Sequence, residues 1–258
     1  MKSRRRIGFI AFALLLGCAD LGNDPDVPVA IEFDGIAFPS VITGDTLRDS
    51  LGVATPLQGR AYNSSGDVIA GAAFQYFTSD TGVTISSSGI LRATRRDGPV
   101  RLIASAGGLQ SIARTIRVTR RPDTVSASGS AAITFNYALP DAATNLAPEL
   151  KISLRSTDTA GVGPNVGGWL VRWRTVHAGD TLAAGDTTLI ALQSSTGRRA
   201  TLDTTGTDGT SARRLRVFSG RLTVPTDSFI VLAEVKRYGV PVPGSPVRFV
   251  VTVAPPPP

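Results

Sequence analysis

Short apolar runs separated by turn-forming residues set the strongest limit on how this chain can fold. The runs are interrupted by clusters of Gly, Pro, Asp, Ser and Thr, and no stretch of a dozen residues has the periodicity of an amphipathic helix. In several runs apolar and polar residues alternate, as at Val100, Leu102 and Ala104. Alternation places one set of side chains on the buried face of a strand. The pattern predicts an all-β protein.

The strand candidates form two groups, and 258 residues are enough for two domains. The first group predicts a β-sandwich over residues 29–119, with strands at 29–33, 53–62, 73–79, 82–86, 89–94, 99–106 and 113–119. The second predicts a sandwich over 125–254, with strands at 131–139, 150–156, 167–175, 187–194, 212–219, 227–238 and 246–253. A charged linker is predicted at 120–124. Prolines at 255–258 are predicted to end the last strand, because proline cannot donate a ladder hydrogen bond.

The turn and packing residues of the first group occur in an order that is also found in a known class of domain. They lie at 63–66, 71–76, 79–81, 89–93 and 98–104. This pattern resembles the bacterial immunoglobulin-like (Big-type) domains of adhesins and surface proteins. The resemblance implies two tandem immunoglobulin-like sandwiches, with a looser match in the second group, where 168–173 echoes 71–76. Because the matching residues turn and pack the chain, the resemblance implies no activity.

The N-terminus has the layout of an export signal. Residues 2–6 are basic, residues 7–16 are apolar, and the run ends in Leu15-Leu16-Gly17-Cys18. A ten-residue helix rises about 15 Å, which is about half of a bilayer core, so the run is too short to span a membrane. Residues 1–17 are therefore predicted to be a signal peptide.

The four residues that end in Cys18 resemble the lipobox of bacterial lipoprotein precursors. The resemblance implies cleavage after Gly17 and diacylation of the Cys18 sulfur, with residues 18–28 as a lipid-anchored tether. Ala19 occupies the place where many Gram-negative lipoproteins carry an inner-membrane retention Asp, so the outer membrane is implied, on its periplasmic or surface face. Arg4, Arg5 and Arg6 leave general and twin-arginine export both open.

The net charge of +7 does not predict nucleic-acid binding. Four basic residues precede Cys18, and without them 23 basic residues face 20 acidic ones. Arginine pairs are interpreted as solvated strand ends and loops, and no aromatic residues interleave with them as a base-stacking platform requires. These pairs are Arg95–Arg96, Arg120–Arg121, Arg198–Arg199 and Arg213–Arg214.

Groups that could carry catalysis are sparse. The chain has a single histidine, His177, and a single cysteine, Cys18, and its patterns include no nucleophile elbow, P-loop or dinucleotide-binding glycine motif. We therefore predict no enzyme activity, no cofactor and no metal site. Trp169 and Trp173 alternate on one predicted strand. They could form a platform for sugars or fill the core, and one buried face per strand favours the core.

These features lead to one main hypothesis and two rivals. The main hypothesis is a lipid-anchored, non-catalytic cell-envelope protein for adhesion, structural support or protein–protein contact, with an envelope protein or a glycan as partner. The first rival is a carbohydrate-binding surface lipoprotein that uses the Trp169 and Trp173 strand. The second is an accessory subunit that docks through an exposed strand edge.

Overall fold

The computed structural model describes residues 24–94, 97–157, 163–183 and 188–256. In these ranges the chain is built from β-strands and one short 3-10 turn at Ser219–Arg221, and the predicted all-β sandwich class is confirmed. Every strand pairs either within the set from residue 30 to 119 or within the set from 124 to 254. We call these sets the N-terminal unit and the C-terminal unit.

The N-terminal unit contains nine strands, and each of the seven predicted ones overlaps an observed strand. The strands are β1 Ala30–Gly35, β2 Ser40–Ile42, β3 Gln58–Tyr62, β4 Gln75–Phe77, β5 Val83–Ile85, β6 Leu91–Ala93, β7 Gly98–Ala106, β8 Leu109–Gln110 and β9 Arg114–Thr119. The main sheet has the order β2-β9-β7-β4, with β8 also on β7, and the pairs β1–β3 and β5–β6 complete the unit. Strand β2 runs parallel to β9, and the other pairs are antiparallel.

Strand β7 shows how the sequence pattern becomes a core. Val100, Leu102 and Ala104 are fully buried, while Arg101 is exposed. Fully burying a side chain such as Val or Leu contributes about 1.5–3 kcal/mol relative to leaving it in water. The predicted alternation is therefore also the main source of stability in this strand.

The C-terminal unit contains twelve strands. They are β10 Thr124–Ala127, β11 Ala132–Asn136, β12 Leu150–Arg155, β13 Leu170–His177, β14 Asp180–Thr181, β15 Ile190–Gln193, β16 Leu202–Thr204, β17 Thr210–Val217, β18 Asp227–Glu234, β19 Lys236–Arg237, β20 Val240–Pro241 and β21 Val247–Ala254. One sheet has the order β10-β12-β17-β15, the other has the order β11-β21-β18-β13-β14 with β16 also on β13, and β19 and β20 form a hairpin. The last strand ends at Ala254, directly before Pro255.

One arginine that was predicted to lie at the surface is buried in the core. Arg213 was interpreted as part of a solvated pair, but it lies on the inward face of β17 with Leu215 and Val217 and is buried. Its guanidinium contacts Asp203 at 2.6 Å, and this ion pair accounts for its place in the core. The pair Arg95–Arg96 lies outside the described residues.

Candidate functional site at the junction of the two units

Two parts of the predicted site lie in different places. Cys18 and the residues up to 23 lie outside the described ranges, so lipid attachment remains a prediction. In the described part of the chain, no helix is long and apolar enough to cross a membrane. Trp169 and Trp173 lie in the C-terminal unit, the first directly before β13 and the second within it.

Both tryptophans are buried, with exposures of 1% and 0%. The indole Nε1 of Trp169 donates to the Lys236 carbonyl oxygen at 2.9 Å, and that of Trp173 donates to Ser211 Oγ at 3.2 Å. A sugar platform needs an open ring face, and here the faces are covered. The core alternative describes both positions, so no observation favours carbohydrate binding by this strand.

Trp169 also reaches the N-terminal unit. Its ring centroid lies 4.9 Å from that of Phe38, at a tilt of 55°. Beside it, Gly168 has φ +77°, and a Cβ at this position would lie 2.6 Å from Cδ of Arg117 on β9. Only glycine combines this backbone conformation with so close an approach. The two units therefore meet in a packed contact.

A polar cluster closes the same junction. Tyr238, at the turn of the β19–β20 hairpin, donates its hydroxyl to Asp45 Oδ2 at 2.6 Å. Arg48 donates to Asp45 through Nε and Nη2, both at 3.2 Å, and its guanidinium carbon lies 5.4 Å from the Tyr238 ring centroid. The cluster thus joins a loop of the N-terminal unit to a hairpin of the C-terminal unit.

The ionisation of this cluster follows from its contacts. Burial, followed by the hydrogen bond to Asp45, raises the pKa of Tyr238. Burial opposes ionisation of Asp45, but hydrogen bonds from Tyr238, Arg48 and the Thr46 amide outweigh it, and the pKa of Asp45 is lowered. At neutral pH a neutral phenol therefore donates to a carboxylate, which makes a strong hydrogen bond.

The segment between the units is fastened to the C-terminal unit. Asp123 forms an ion pair with Arg121, with Nε at 2.7 Å, and accepts hydrogen bonds from Arg237 Nη1 at 3.2 Å and from the Thr157 amide at 2.9 Å. These contacts hold the residues between β9 and β10 against the C-terminal unit. The junction is therefore stabilised at two places, by the packing of Phe38 on Trp169 and by the contacts of the Asp123 carboxylate.

Little in the sequence predicts the contact between the two units. Gly239 signals a tight turn after Tyr238, and both residues have positive φ, 80° and 51°. Nothing in the sequence shows that this turn reaches Asp45, 193 residues away. Phe38 stood outside the predicted strands. Long-range pairing of this kind has no local pattern by which it could be found.

The single histidine of the chain takes part in one pair. His177 Nε2 lies 2.8 Å from Asp227 Oδ2, and the imidazole stacks on Phe229 with 4.7 Å between ring centroids. No three His, Cys, Asp or Glu side chains within the described ranges are grouped so that they could hold a metal ion.

Comparison with known proteins gives only structural likenesses. No family model matches the sequence, and no curated protein matches it. The S-layer protein SbsC, domains 4 and 5, is 10% identical over 87% of this chain and 96% of its own, with a TM-score of 0.31. The Yersinia pseudotuberculosis adhesin InvE is 15% identical over 84% of this chain and 55% of its own, with a TM-score of 0.33. Likeness at these scores carries no argument about function.

Proposed function

We propose that this chain is a lipid-anchored, non-catalytic protein of the bacterial cell envelope, used for adhesion, structural support or protein–protein contact. The observation that carries the proposal is Leu15-Leu16-Gly17-Cys18 directly after a basic segment and a ten-residue apolar run. Acyl chains on Cys18 would bury many CH₂ groups at about 0.8 kcal/mol each, and two or more chains give stable anchoring.

The junction supports a role as a stiff spacer. Phe38 packs on Trp169, and Tyr238 binds Asp45, so bending between the units would separate contacts that are already made. The tether at 18–28 could extend about 3.3 Å per residue and so hold the N-terminal unit up to roughly 30 Å from the bilayer. Together these features fit a protein that presents a surface at a set distance from a membrane.

The non-catalytic part of the proposal rests on what the ionisable side chains contact. Asp45 binds Arg48 of its own loop and Tyr238 of the other unit, and Asp123 and Asp203 each bind an arginine of another segment. The carboxylates are thus engaged in holding the fold, and His177 is engaged with Asp227 at the end of β13.

The anchor is tested by intact mass of the protein from the membrane fraction, beside a Cys18→Ala variant. We expect the native chain to begin at Cys18 and to carry acyl mass that the variant lacks. Ala19→Asp is the matched variant, which should keep the acyl mass and move to the inner membrane. An unmodified native chain, free in the periplasm or medium, would overturn the proposal.

A further inference from the structure

A cavity of about 930 Å³ lies beside β13, where its pairing with β16 ends and its pairing with β14 has not yet begun. Small-molecule sites in proteins have volumes of about 300–1,000 Å³. The lining comes from β13, β15, residues 181–183 and residues 199–202, with Glu234 and Lys236. The cavity is therefore of ligand size and is bounded by several elements of the C-terminal unit.

The charged groups of this cavity are mainly positive. Arg172, Arg174, Arg199 and Lys236 line it together with one carboxylate, Glu234. Glu234 lies opposite Arg172 in the β13–β18 register, but its ion pair is with Lys236, at 3.0 Å. Within the described ranges none of the three arginines forms an ion pair. The cavity thus holds three guanidinium groups that form no ion pair with any carboxylate of the described residues.

Arg174 also has a buried hydrogen-bond donor that lacks an acceptor among the described residues. Its Nε is buried and has no hydrogen-bond partner within the described part of the protein. A buried donor on a charged group is costly to leave without an acceptor, and structures rarely do so. Guanidinium groups bind carboxylate and phosphate oxygens through paired hydrogen bonds. Because protein atoms enclose this Nε, an anion in the cavity would compensate the guanidinium by its charge and through the Nη groups.

The rest of the lining is largely apolar. It includes Leu182, Ala183, Ile190, Ala191 and Leu192. The one aromatic residue of the lining, Trp173, is fully buried and presents no open ring for a sugar to stack on. The ligand that fits this lining joins an anionic head to an aliphatic body.

We infer that the cavity binds an amphiphilic anion, with a carboxylate or phosphate on the arginines and an aliphatic chain on the leucine and isoleucine side chains. Octanoate and octyl phosphate are the probes, titrated below micelle formation into the chain from residue 18 onward with Cys18→Ala, and followed by calorimetry. Octyl glucoside tests the chain without the charge. Inorganic phosphate and glucuronate test the charge without the chain.

Both octyl anions, or one of them, should bind more tightly than the three comparison compounds. Binding of octanoate alone indicates a fatty acid as the source, and binding of octyl phosphate alone indicates a lipid phosphate. Arg174→Gln and Arg199→Gln should each weaken binding by about tenfold, the loss of a charge-assisted hydrogen bond. Arg198→Gln is the matched control, since Arg198 is adjacent in sequence and does not line the cavity.

Three results overturn the inference. If octyl glucoside binds as tightly as the octyl anions, the cavity does not recognise a negative charge. If Arg198→Gln weakens binding as much as the cavity variants do, the ligand does not bind in this cavity. Binding of glucuronate without octanoate or octyl phosphate would replace the amphiphile with an acidic saccharide. Because Arg199 is exposed, the Arg199→Gln variant tests the site even if Arg174→Gln does not fold.

Discussion

The two units bury different kinds of side chain. Among the described residues of the N-terminal unit, the buried polar ones are the hydroxyl-bearing Ser40 and Thr119, and the other buried side chains are apolar. In the C-terminal unit the buried set includes two arginines, an asparagine and several hydroxyls. The first unit is thus closed by alternating apolar strands, whereas the second also uses polar ties between segments distant in sequence.

One network shows what these ties do. Trp173 Nε1 donates to Ser211 Oγ, and Ser211 and Arg213 both donate to Asp203 Oδ2, at 2.9 and 2.6 Å. Arg213 further donates to the carbonyl oxygens of Ala200 and Leu202. Strands β13, β16 and β17 are joined in this way. The stability of the C-terminal unit therefore depends on hydrogen-bonded polar groups, whereas the stability of the N-terminal unit depends on buried apolar area.

The largest expected effect is the loss of this network. Arg213→Met leaves Asp203 without its positively charged partner in a partly buried site, and we expect the free energy of unfolding to fall by about 3–5 kcal/mol. Denaturant unfolding followed by tryptophan fluorescence measures this, because both tryptophans lie in the C-terminal unit. Arg101→Met is the control in the N-terminal unit, and its unfolding is followed by far-ultraviolet circular dichroism, because this unit contains no tryptophan.

That control is a charge pair of the same type at the surface. The Arg101 side chain is 66% exposed and lies 3.7 Å from Asp80, whereas the Arg213 side chain is 4% exposed. We expect Arg101→Met to change stability by no more than about 0.5 kcal/mol. Equal losses in the two variants would contradict the distinction drawn between the units.

The junction determines how far the two units behave independently. Phe38→Ala removes a ring that packs on Trp169, and we expect a loss of about 3 kcal/mol that also shifts the tryptophan-fluorescence transition. Phe74→Ala is the matched change, because Phe74 stacks on Tyr76 within the N-terminal unit. It should weaken hydrogen-exchange protection of β7 and leave the fluorescence transition in place. Identical fluorescence shifts would mean that the ring contact is not what couples the units.

Sequence patterns predicted the strands of both units better than the polar contacts between distant segments, for a physical reason. The alternation at β7 is a local pattern, and the structure shows it as predicted. The strand predicted from residue 53 begins at Gln58, after Pro56, because proline cannot donate a ladder hydrogen bond. Arg213 was misinterpreted because its partner Asp203 is ten residues away, across a turn that no periodicity describes. The junction contact of Asp45 with Tyr238 and the cluster of arginines beside β13 depend on folding and have no local sequence pattern.

A smaller effect is expected from the hydroxyl that crosses the junction. Tyr238→Phe removes the donor to Asp45 and should cost about 1–1.5 kcal/mol, because that carboxylate is partly buried. Tyr62→Phe is the matched variant, since the Tyr62 hydroxyl donates to Glu32 at an exposed position within the N-terminal unit. Its loss should be under about 0.5 kcal/mol. Losses of equal size in chemical denaturation would contradict a special role for the inter-unit bond.

The smallest expected effect is the pH dependence that Asp141 gives to the stability of the C-terminal unit. The hydrogen bonds from Arg216, followed by those from Asn145 and the Ser219 amide, lower the pKa of Asp141 to about 2. A lowered folded-state pKa stabilises the fold above the unfolded value of about 3.9. This stability is lost as the pH falls from there through about 2. The Asp141 side chain is 34% exposed, so solvent screening reduces the contribution to about 0.5–1 kcal/mol.

The measurement compares the denaturation midpoint of the native chain with that of Asp141→Asn between pH 6 and pH 2. The two should differ at pH 6 and converge towards pH 2, because protonation removes the charge that the substitution also removes. In an Arg216→Gln background the same comparison should lose most of its pH dependence, since Arg216 holds the carboxylate at 3.0 Å. A difference that persists unchanged at pH 2 would assign the effect to the shape of the side chain, and the polar tie at Asp141 would then hold the loop without its charge.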